Sequence, residues 1–284
     1  MPRDPIVDPQ DLPSLGPFHL LDARDPAAFA LSHPARAVRV PLETWEAAAK
    51  SGETSFENVA YWAQAIGALG VSAVIPAIVY DDGRMTEAAR VWFILQYFGV
   101  AAKLLNGGWP TLQSKDDVLA GAIAPLNSVT FDARPGAGPV GLIDRHALRS
   151  QLDDVRIFDA RTSGEFNGTD LRRNARGGHL PGATLVPHAD LLDRGQLKSP
   201  GELRRLLAEA GFVGGDHVVT HCDGGGRAAL AAAAAVRAGF NDFREIGRAV
   251  QQECRDRDRY LVCRLLLEKN FFFNDTATTE IYTS

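Results

Sequence analysis

An apolar run that ends in Asp-Ala-Arg occurs twice in the chain, at residues 18–24 and again at residues 155–161. The aspartates of the two copies, Asp22 and Asp159, are 137 positions apart. After each copy the sequence passes through the same succession: an apolar stretch, an amphipathic segment, a second apolar stretch, a polar loop and a helix-forming segment. Strands that alternate with helices favour a parallel sheet with helices on both faces. The repeat therefore predicts an α/β fold made of two similar halves, each a mostly parallel sheet flanked by helices.

The elements of the two halves can be placed from their residue types. Short β-branched and apolar runs predict strands, and apolar residues at helical spacing predict helices. Ser199 followed by Glu202 has the spacing of a capping box. The Pro- and Gly-rich segment 114–140 is interpreted as a connector, with one short strand possible at 128–133. The remaining predicted strands are 35–41, 77–80 and 217–220, and the predicted helices are 55–69, 85–98, 199–210 and 227–240.

Composition and charge argue against several classes of protein. The 284 residues are 45% hydrophobic and 23% charged, as is usual for globular proteins. The net charge of −5 and the pI of about 5.8 give no support for a nucleic-acid partner or an anionic membrane surface. No apolar run approaches the ~20 residues that a membrane helix needs, and the N-terminus lacks the apolar core of a signal peptide. Cys222, Cys254 and Cys263 form neither a disulfide framework nor a metal-binding spacing, so we expect no metal or other cofactor and a reducing, cytoplasmic location.

Residues 218–230 carry the strongest chemical signal in the chain. Val218 and Val219 suit a buried strand, three successive glycines mark a tight turn, and the alanine-rich run from Ala228 is strongly helix-forming. Cys222 is therefore predicted at the end of a strand, beneath a loop whose N–H groups point inward at a helix N-terminus. Both features favour an anion, so we expect an ionised, nucleophilic thiol. A buried, inert cysteine under a glycine turn is the alternative.

Four motifs in this order resemble the rhodanese family of sulfurtransferases in its tandem two-domain form. Residues 159–166, with Asp-Ala-Arg followed by Glu-Phe, resemble the signature of the first strand. Residues 178–183, Gly-His-Leu-Pro-Gly-Ala, match the most recognisable string of the family, and Cys222 opens the active-site loop. Residues 105–109, Leu-Asn-Gly-Gly-Trp, resemble the motif that closes each domain. The resemblance covers about residues 5–247 and implies two rhodanese-like domains.

The resemblance implies a ping-pong transfer of sulfane sulfur. The thiolate of Cys222 would take a sulfur from a small-molecule donor such as thiosulfate or 3-mercaptopyruvate, form a persulfide, and pass the sulfur to cyanide or to another thiol. The amides of the loop would stabilise the thiolate and the persulfide anion. The acidic residue that follows the cysteine departs from the family pattern and leaves the identity of the donor open. The residues expected to contact substrate in the loop are Asp223, Gly224, Gly225, Gly226, Arg227 and Ala228.

A second departure concerns the positive charge that would hold the donor. Members that act on thiosulfate or mercaptopyruvate often have an arginine where this chain has Glu165, and a carboxylate there would repel an anionic donor. We expect Glu165 to pair with Arg161 instead. Arg172, Arg173 and Arg176 lie in an insertion before the Gly-His-Leu-Pro-Gly string. They are candidates to bind the donor, and a solvated basic loop is the alternative.

Two histidines near the predicted site are expected to be structural. His179 should bond to the backbone and fix the turn before Pro181, because transfer from a thiolate of depressed pKa needs no general base. His221 adjoins Cys222, but alternation along the strand turns it to the opposite side. It is therefore expected to fill space in the core or at the surface.

The first copy of the repeat lacks the chemistry of the second. Its loop, residues 80–84, contains aspartates, and the first half contains no cysteine. Because a carboxylate cannot carry transferable sulfur, the first half is expected to be a structural partner that covers the mouth of the catalytic site.

Two other functions could use the same loop. A non-catalytic module could hold an anion or a partner there without turnover. Phosphatases that share this fold use Cys, five residues and then Arg, whereas four residues separate Cys222 from Arg227. The tighter loop suits a sulfur atom better than a phosphoryl group, so sulfur transfer is the favoured hypothesis. The sequence does not indicate the oligomeric state.

We predict a non-catalytic domain at residues 1–125 and a catalytic domain at residues 126–247. Residues 248–284 do not continue the family pattern, and residues 270–283 resemble a translated sequencing adapter. We expect this tail to be foreign to the domain, so that the two cysteines within it have no role. A genuine amphipathic tail that docks a partner is the alternative.

Overall fold

The computed structural model describes residues 4–71, 74–113, 127–172, 174, 177–240 and 243–246. Within these residues each half of the chain forms one five-stranded parallel sheet. The strands of the first sheet are β1 (Ile6–Val7), β2 (His19–Asp22), β3 (Val38–Arg39), β4 (Ala77–Tyr80) and β5 (Ala102–Leu105). The second half contains β6 (Val140–Ile143), β7 (Arg156–Asp159), β8 (Ala183–Leu185), the antiparallel hairpin β9 (Leu192–Asp193) and β10 (Gln196–Leu197), β11 (Val218–His221) and β12 (Phe243–Ile246).

The two sheets have the same strand order, which confirms the predicted duplication. The first sheet runs β1-β5-β4-β2-β3 and the second runs β6-β12-β11-β7-β8, with every neighbouring pair parallel. The strands β2 and β7, which carry the Asp-Ala-Arg repeats, therefore occupy the same position. So do β4 and β11, which precede the two loops. Because the strands are parallel, the side chains that follow them meet at one edge of each sheet.

The helices alternate with the strands as the sequence predicts. Those of the first half are α1 (Pro26–Leu31), α2 (Leu42–Lys50), α3 (Val59–Gly67) and α4 (Thr86–Tyr97). Those of the second half are α5 (Arg145–Ser150), α6 (Ser163–Phe166), α7 (Pro200–Glu209) and α8 (Gly226–Arg237). The predicted capping box is present, since the Ser199 side chain accepts a bond from the Glu202 N–H and the Glu202 carboxylate accepts one from the Ser199 N–H. The helix predicted from residue 55 begins later, at Val59, because the Asn58 side chain caps it.

Helices α4 and α8 pack against each other and join the two halves. The side chains of α8 from Ala228 to Ala235 are all fully or almost fully buried. Short side chains let the backbones of two helices approach closely. A Cβ atom on Gly226 would lie only 2.7 Å from the carbonyl oxygen of Thr86 on α4. One apolar core consequently runs through both halves, from Trp92 of α4 to Phe158 of β7.

Polar contacts add two further links between the halves. The buried Asn106, just after β5, receives the Leu197 N–H at 2.6 Å on its side-chain oxygen. Its side-chain nitrogen donates to the Leu197 carbonyl at 3.3 Å. Arg237, in the last turn of α8, pairs with Asp8 at 3.2 Å and with Asp4 at 3.5 Å. The motif predicted to close the first domain thus also fastens it to the second.

Two sequence predictions about the connecting segments have different outcomes. The possible strand at 128–133 is wrong: these residues form no strand, and Val129 instead donates a hydrogen bond to Gly67 at the end of α3. The predicted aberrant tail, with Cys254 and Cys263, lies outside the described residues. Among the residues that are described, no helix is long and apolar enough to cross a membrane.

Candidate active site

Cys222 lies where the sequence places it, between the end of β11 and the start of α8. The side chain is buried, with 1% of the residue exposed. The N–H of Gly225 donates to its sulfur at 3.0 Å. Gly225 has a φ of +92°, a conformation that a residue with a Cβ rarely adopts, so glycine is required for the turn that aims this N–H. A backbone N–H directed at the sulfur favours the thiolate over the thiol.

The residues that flank the cysteine have distinct surroundings. Asp223 accepts a hydrogen bond from the side chain of Asn174 at 3.2 Å, so the insertion before the Gly-His-Leu-Pro-Gly string reaches the loop. Gly224 and Gly226 lie against the first half of the protein. Ala228 lies in the first turn of α8 with its side chain fully buried. The loop is therefore enclosed by both halves.

Glu165 pairs with Arg227, and the predicted pair of Glu165 with Arg161 is wrong. Two parallel bonds join the Arg227 guanidinium to the Glu165 carboxylate, at 2.6 and 2.8 Å. The same carboxylate accepts the N–H and hydroxyl of Thr162, which closes a capping box at the start of α6. Burial alone would raise the pKa of Glu165, but the bonds from Arg227 and Thr162 outweigh it and lower that pKa to about 2. The charge of Arg227 is thus largely neutralised inside the site.

Arg161 is bound instead by the aspartate of its own motif. Its Nη2 donates to Asp159 Oδ2 at 2.6 Å and to the carbonyl of Gly178 at 2.8 Å. Burial alone would raise the pKa of Asp159, but the nearby His221 ring and the bonds from Arg161 lower it. Spacing along the sequence could not decide between the two arginines, because both follow strands that end at the same edge.

The two histidines differ in outcome. His179 Nδ1 lies 3.0 Å from the carbonyl oxygen of Phe166, and the two rings stack with centroids 3.7 Å apart, which confirms the predicted backbone anchor. His221 was predicted as filler, and that stays a prediction. Its side chain is partly buried at the end of β11, and its Nδ1 lies 3.5 Å from Asp159 Oδ2.

His188, which the sequence predictions did not single out, is half-buried and near enough to Arg227 to be influenced by its charge. Burial lowers its pKa, and the positive charge of Arg227 lowers it further. A neutral imidazole is thereby favoured at this position. The sequence contains one indication of this position: His188 follows the Gly-His-Leu-Pro-Gly string closely, just after β8 has brought the chain back to the edge of the sheet.

The three arginines of the insertion are only partly described. Arg172 is half-exposed, and its Nε lies 3.9 Å from Glu165 Oε1. Its backbone is left-handed, with a φ of +52°. Arg173 and Arg176 lie outside the described residues. Arg172 is therefore a cation at the rim of the cluster that contains Glu165 and Arg227.

Asp81 occupies in the first half the position that Cys222 has in the second. It follows β4, precedes α4 and is buried. Its carboxylate accepts four backbone N–H groups at 2.9–3.1 Å, those of Gly83, Met85, Glu87 and Ala88. Burial raises the pKa of Asp81, and the backbone bonds oppose that shift. The amides of the first loop therefore already have a carboxyl group of the chain as their acceptor.

A cavity of about 400 Å³ adjoins this first loop. Its walls carry charges of both signs, among them Arg24, Arg39, Glu46 and Glu87. The parts of the chain that the structure describes contain no group of His, Cys, Asp and Glu side chains that could hold a metal ion. Cys222 forms no disulfide with another of the described residues. The chemistry available at the second loop is that of a thiol among amides and cations.

Comparisons with known proteins agree with this architecture. Both halves match the sequence model of the rhodanese-like domain, at residues 9–115 and 144–247. The 3-mercaptopyruvate sulfurtransferase of Escherichia coli is 32% identical over 172 residues, which are 60% of this chain and 61% of that protein. A putative thiosulfate sulfurtransferase of Mycobacterium tuberculosis, SseB, is also 32% identical over 172 residues, 58% of this chain and 59% of that protein. The chain thus spans about three fifths of the length of these relatives.

Solved structures share the fold at lower sequence identity. The crystal structure of SseA from Escherichia coli matches with a TM-score of 0.65 and 24% identity, over 86% of this chain and 97% of that one. The anaerobic ergothioneine biosynthesis enzyme from Chlorobium limicola matches with a TM-score of 0.71 and 18% identity, over 90% of this chain and 69% of that one. On the two domain matches, which together cover more than half of its length, the chain belongs to the rhodanese family.

Proposed function

We propose that this protein is a sulfurtransferase that moves a sulfane sulfur from thiosulfate or 3-mercaptopyruvate to a thiol or to cyanide, through a persulfide on Cys222. The observation that carries the proposal is the buried sulfur of Cys222 with the Gly225 N–H directed at it from 3.0 Å. The similarity to sulfurtransferases of both donor classes supports it.

With thiosulfate, the thiolate attacks the outer sulfur, the S–S bond breaks, and sulfite leaves with the bonding electron pair. The enzyme then holds Cys222–S–S⁻. Cyanide attacks the terminal sulfur, thiocyanate leaves, and the thiolate is restored. With 3-mercaptopyruvate the C–S bond breaks instead, and the enolate of pyruvate leaves and takes up a proton. No net oxidation or external reductant is needed in either route with cyanide as acceptor.

The cations around the sulfur suit an anionic intermediate. Burial alone would lower the pKa of Arg161 and of Arg227, but their carboxylate partners and the negative charge of Cys222 raise both values. Charges held in place before the reaction stabilise the thiolate and the persulfide without reorganisation. The loop amides of residues 224–228 are proposed to surround the terminal sulfur of the persulfide.

Donor binding is proposed to involve the insertion before the Gly-His-Leu-Pro-Gly string. Arg227 is held by Glu165, whereas Arg172 is half-exposed at the rim of the same cluster. Asn174 bridges from this insertion to Asp223 in the loop. We therefore assign the anionic end of the donor to Arg172, with Arg173 and Arg176 as further candidates.

Three remaining assignments belong to the same proposal. We propose a non-catalytic domain at residues 1–125 and a catalytic one at 126–247, a division that leaves each sheet intact. We propose a cytoplasmic location, because Cys222 must stay reduced to react. Small molecules are the proposed partners, and neither a nucleic acid nor a membrane is among them.

The test is cyanolysis of thiosulfate and of 3-mercaptopyruvate, followed as thiocyanate. Turnover should fall by at least about 10³-fold in Cys222→Ser, because a serine cannot form a persulfide. The peptide that contains Cys222 should gain the mass of one sulfur atom after donor treatment. A folded wild-type protein that gains no sulfur and forms no thiocyanate would instead be an anion-binding module. Hydrolysis of an aryl phosphate by the same protein would identify a phosphatase.

A further inference from the structure

Helix α4 of the first half forms a wall against the loop that contains Cys222. The Arg90 Nη2 atom lies 3.1 Å from the point that a Cβ on Gly226 would occupy, and 3.6 Å from the corresponding point on Gly224. These two glycines flank Gly225, whose N–H donates to the cysteine sulfur. A guanidinium from one half of the protein therefore touches the loop of the other on both sides of the residue that binds the sulfur.

The opposite edge of the same guanidinium is held within the first half. Arg90 Nη1 pairs with Glu46 of α2 and, at 3.0 Å, with Glu87 of α4. The Arg90 side chain is only 16% exposed. Two carboxylates on Nη1 leave Nη2 directed at the loop, so the guanidinium is fixed in orientation as well as in place.

We propose that Arg90 is a positioning residue for Cys222, through which the first half orders the catalytic loop and favours its anionic form. The carboxylates of Glu46 and Glu87 moderate the positive charge that the loop experiences. This inference rests on the proposed function in that it assigns Cys222 as the reacting group. It gives the domain without a cysteine a part in the chemistry of the other.

Other charges also face the loop, and Arg90 acts together with them. Arg161 and Arg227 interact electrostatically with Cys222 from the second half, and each is bound to a carboxylate. Asp223 is in the loop itself, where Asn174 binds it. The charged and titratable groups described around the loop are Asp159, Arg161, Glu165, Arg172, His188, His221, Asp223 and Arg227 from the second half, and Glu46, Glu87 and Arg90 from the first.

The test measures the rate of alkylation of Cys222 by iodoacetamide against pH in the full chain. Reaction is followed on the peptide that contains Cys222, so that any alkylation of Cys254 and Cys263 is not counted. Arg90→Gln should raise the apparent pKa of this thiol by roughly half a unit to one unit, since one cation near the sulfur is lost. Arg90→Lys, which keeps the charge, should recover most of that shift.

Variants of the two carboxylates should shift the apparent pKa of the Cys222 thiol in the opposite direction. They therefore distinguish an effect of charge from a general disturbance of the structure. Glu46→Gln and Glu87→Gln should each lower the apparent pKa of the thiol, because they leave the Arg90 guanidinium less neutralised. Arg84→Gln is the matched control: Arg84 is an exposed arginine of the same half that pairs with Asp82, and its loss should leave the value unchanged.

The proposal is overturned if Arg90→Gln leaves the thiol titration unchanged, or if the arginine and carboxylate variants move it in the same direction. Should Arg90→Gln fail to fold, the lysine and the two glutamine variants of the carboxylates still decide the matter. Alkylation does not require sulfur transfer. Failure of cyanolysis in the wild type would therefore reject the enzyme, while failure of these shifts would reject the role of Arg90.

Discussion

The loops after β4 and β11 have the same position in the two sheets, and each surrounds a side chain that can be negative. In the first loop the Asp81 carboxylate receives four backbone N–H groups. In the second loop the N–H of Gly225 is directed at the sulfur of Cys222. The first arrangement holds a buried carboxyl group and stabilises the fold. The second holds the sulfur that we propose accepts another sulfur atom, so that one backbone design would serve structure in one half and reactivity in the other.

Replacing Asp81 and Cys222 in turn should separate the structural role of the first loop from the reactive role of the second. The larger loss of stability is expected for the Asp81 variant. Asp81→Ala leaves four buried or half-buried N–H groups without their acceptor and should lower the free energy of unfolding by about 3 kcal/mol. Cys222→Ala should cost less, about 1 kcal/mol, although it removes turnover. Denaturant unfolding of both variants measures the difference.

The neighbouring Asp82 provides the control for that comparison. It pairs with Arg84 at the surface, so Asp82→Ala should change stability by less than about 0.5 kcal/mol. A loss in Asp81→Ala no larger than that in Cys222→Ala would show that the amides of the first loop do not depend on the carboxylate.

Glu165 marks a second difference between the halves, because the position equivalent to it in the first half is Ala28. A pKa lowered to about 2 in the folded state, from an ordinary value near 4.5, means that ionised Glu165 stabilises the fold above about pH 4.5. That contribution is lost as pH falls from 4.5 towards 2. It is on the order of 3 kcal/mol for a shift of this size. Stability of the wild type should therefore fall more steeply with acid than that of Glu165→Gln, as measured by urea unfolding at a series of pH values.

Glu202 allows a matched control for this acid dependence. It is also the glutamate of a capping box, at the start of α7, but it is exposed and has no arginine bound in parallel. The bonds from Ser199 also lower the pKa of Glu202, but solvent screens the effect at this exposed position, so Glu202→Gln should change the slope of stability against pH much less than Glu165→Gln does. If the free energy of unfolding fell equally steeply with acid in the wild type and in Glu165→Gln, the Glu165–Arg227 pair would not be the source of the acid dependence.

The insertion with Arg172 is the third difference, and its effect should be the smallest. Thirteen positions separate Phe166 from His179, whereas four separate Phe29 from His33 in the first half. Arg172→Gln should raise KM for thiosulfate about three-fold with kcat little changed, and added salt should reduce the difference. Arg205→Gln, which removes an exposed arginine of α7, is the control. An unchanged KM in Arg172→Gln would place the donor elsewhere.

The sequence sufficed for features that depend on local order along the chain. The repeat predicted two like sheets, and the strand, glycine turn and alanine-rich helix around Cys222 predicted its position. The sequence did not predict contacts between elements that are far apart along the chain. Glu165 could be paired with either of two arginines, and only the placement of α6 beside the loop favours Arg227. Arg90 had no local signal at all, because its contact with Gly224 and Gly226 exists only once α4 packs on α8.

The apolar core that runs from α4 into α8 has a consequence for how the molecule comes apart. The two domains share one hydrophobic core. A fragment that contained only the second domain would therefore expose the alanine-rich face of α8 to water. Melting should accordingly proceed as one cooperative event, visible as a single calorimetric peak despite the two-domain sequence.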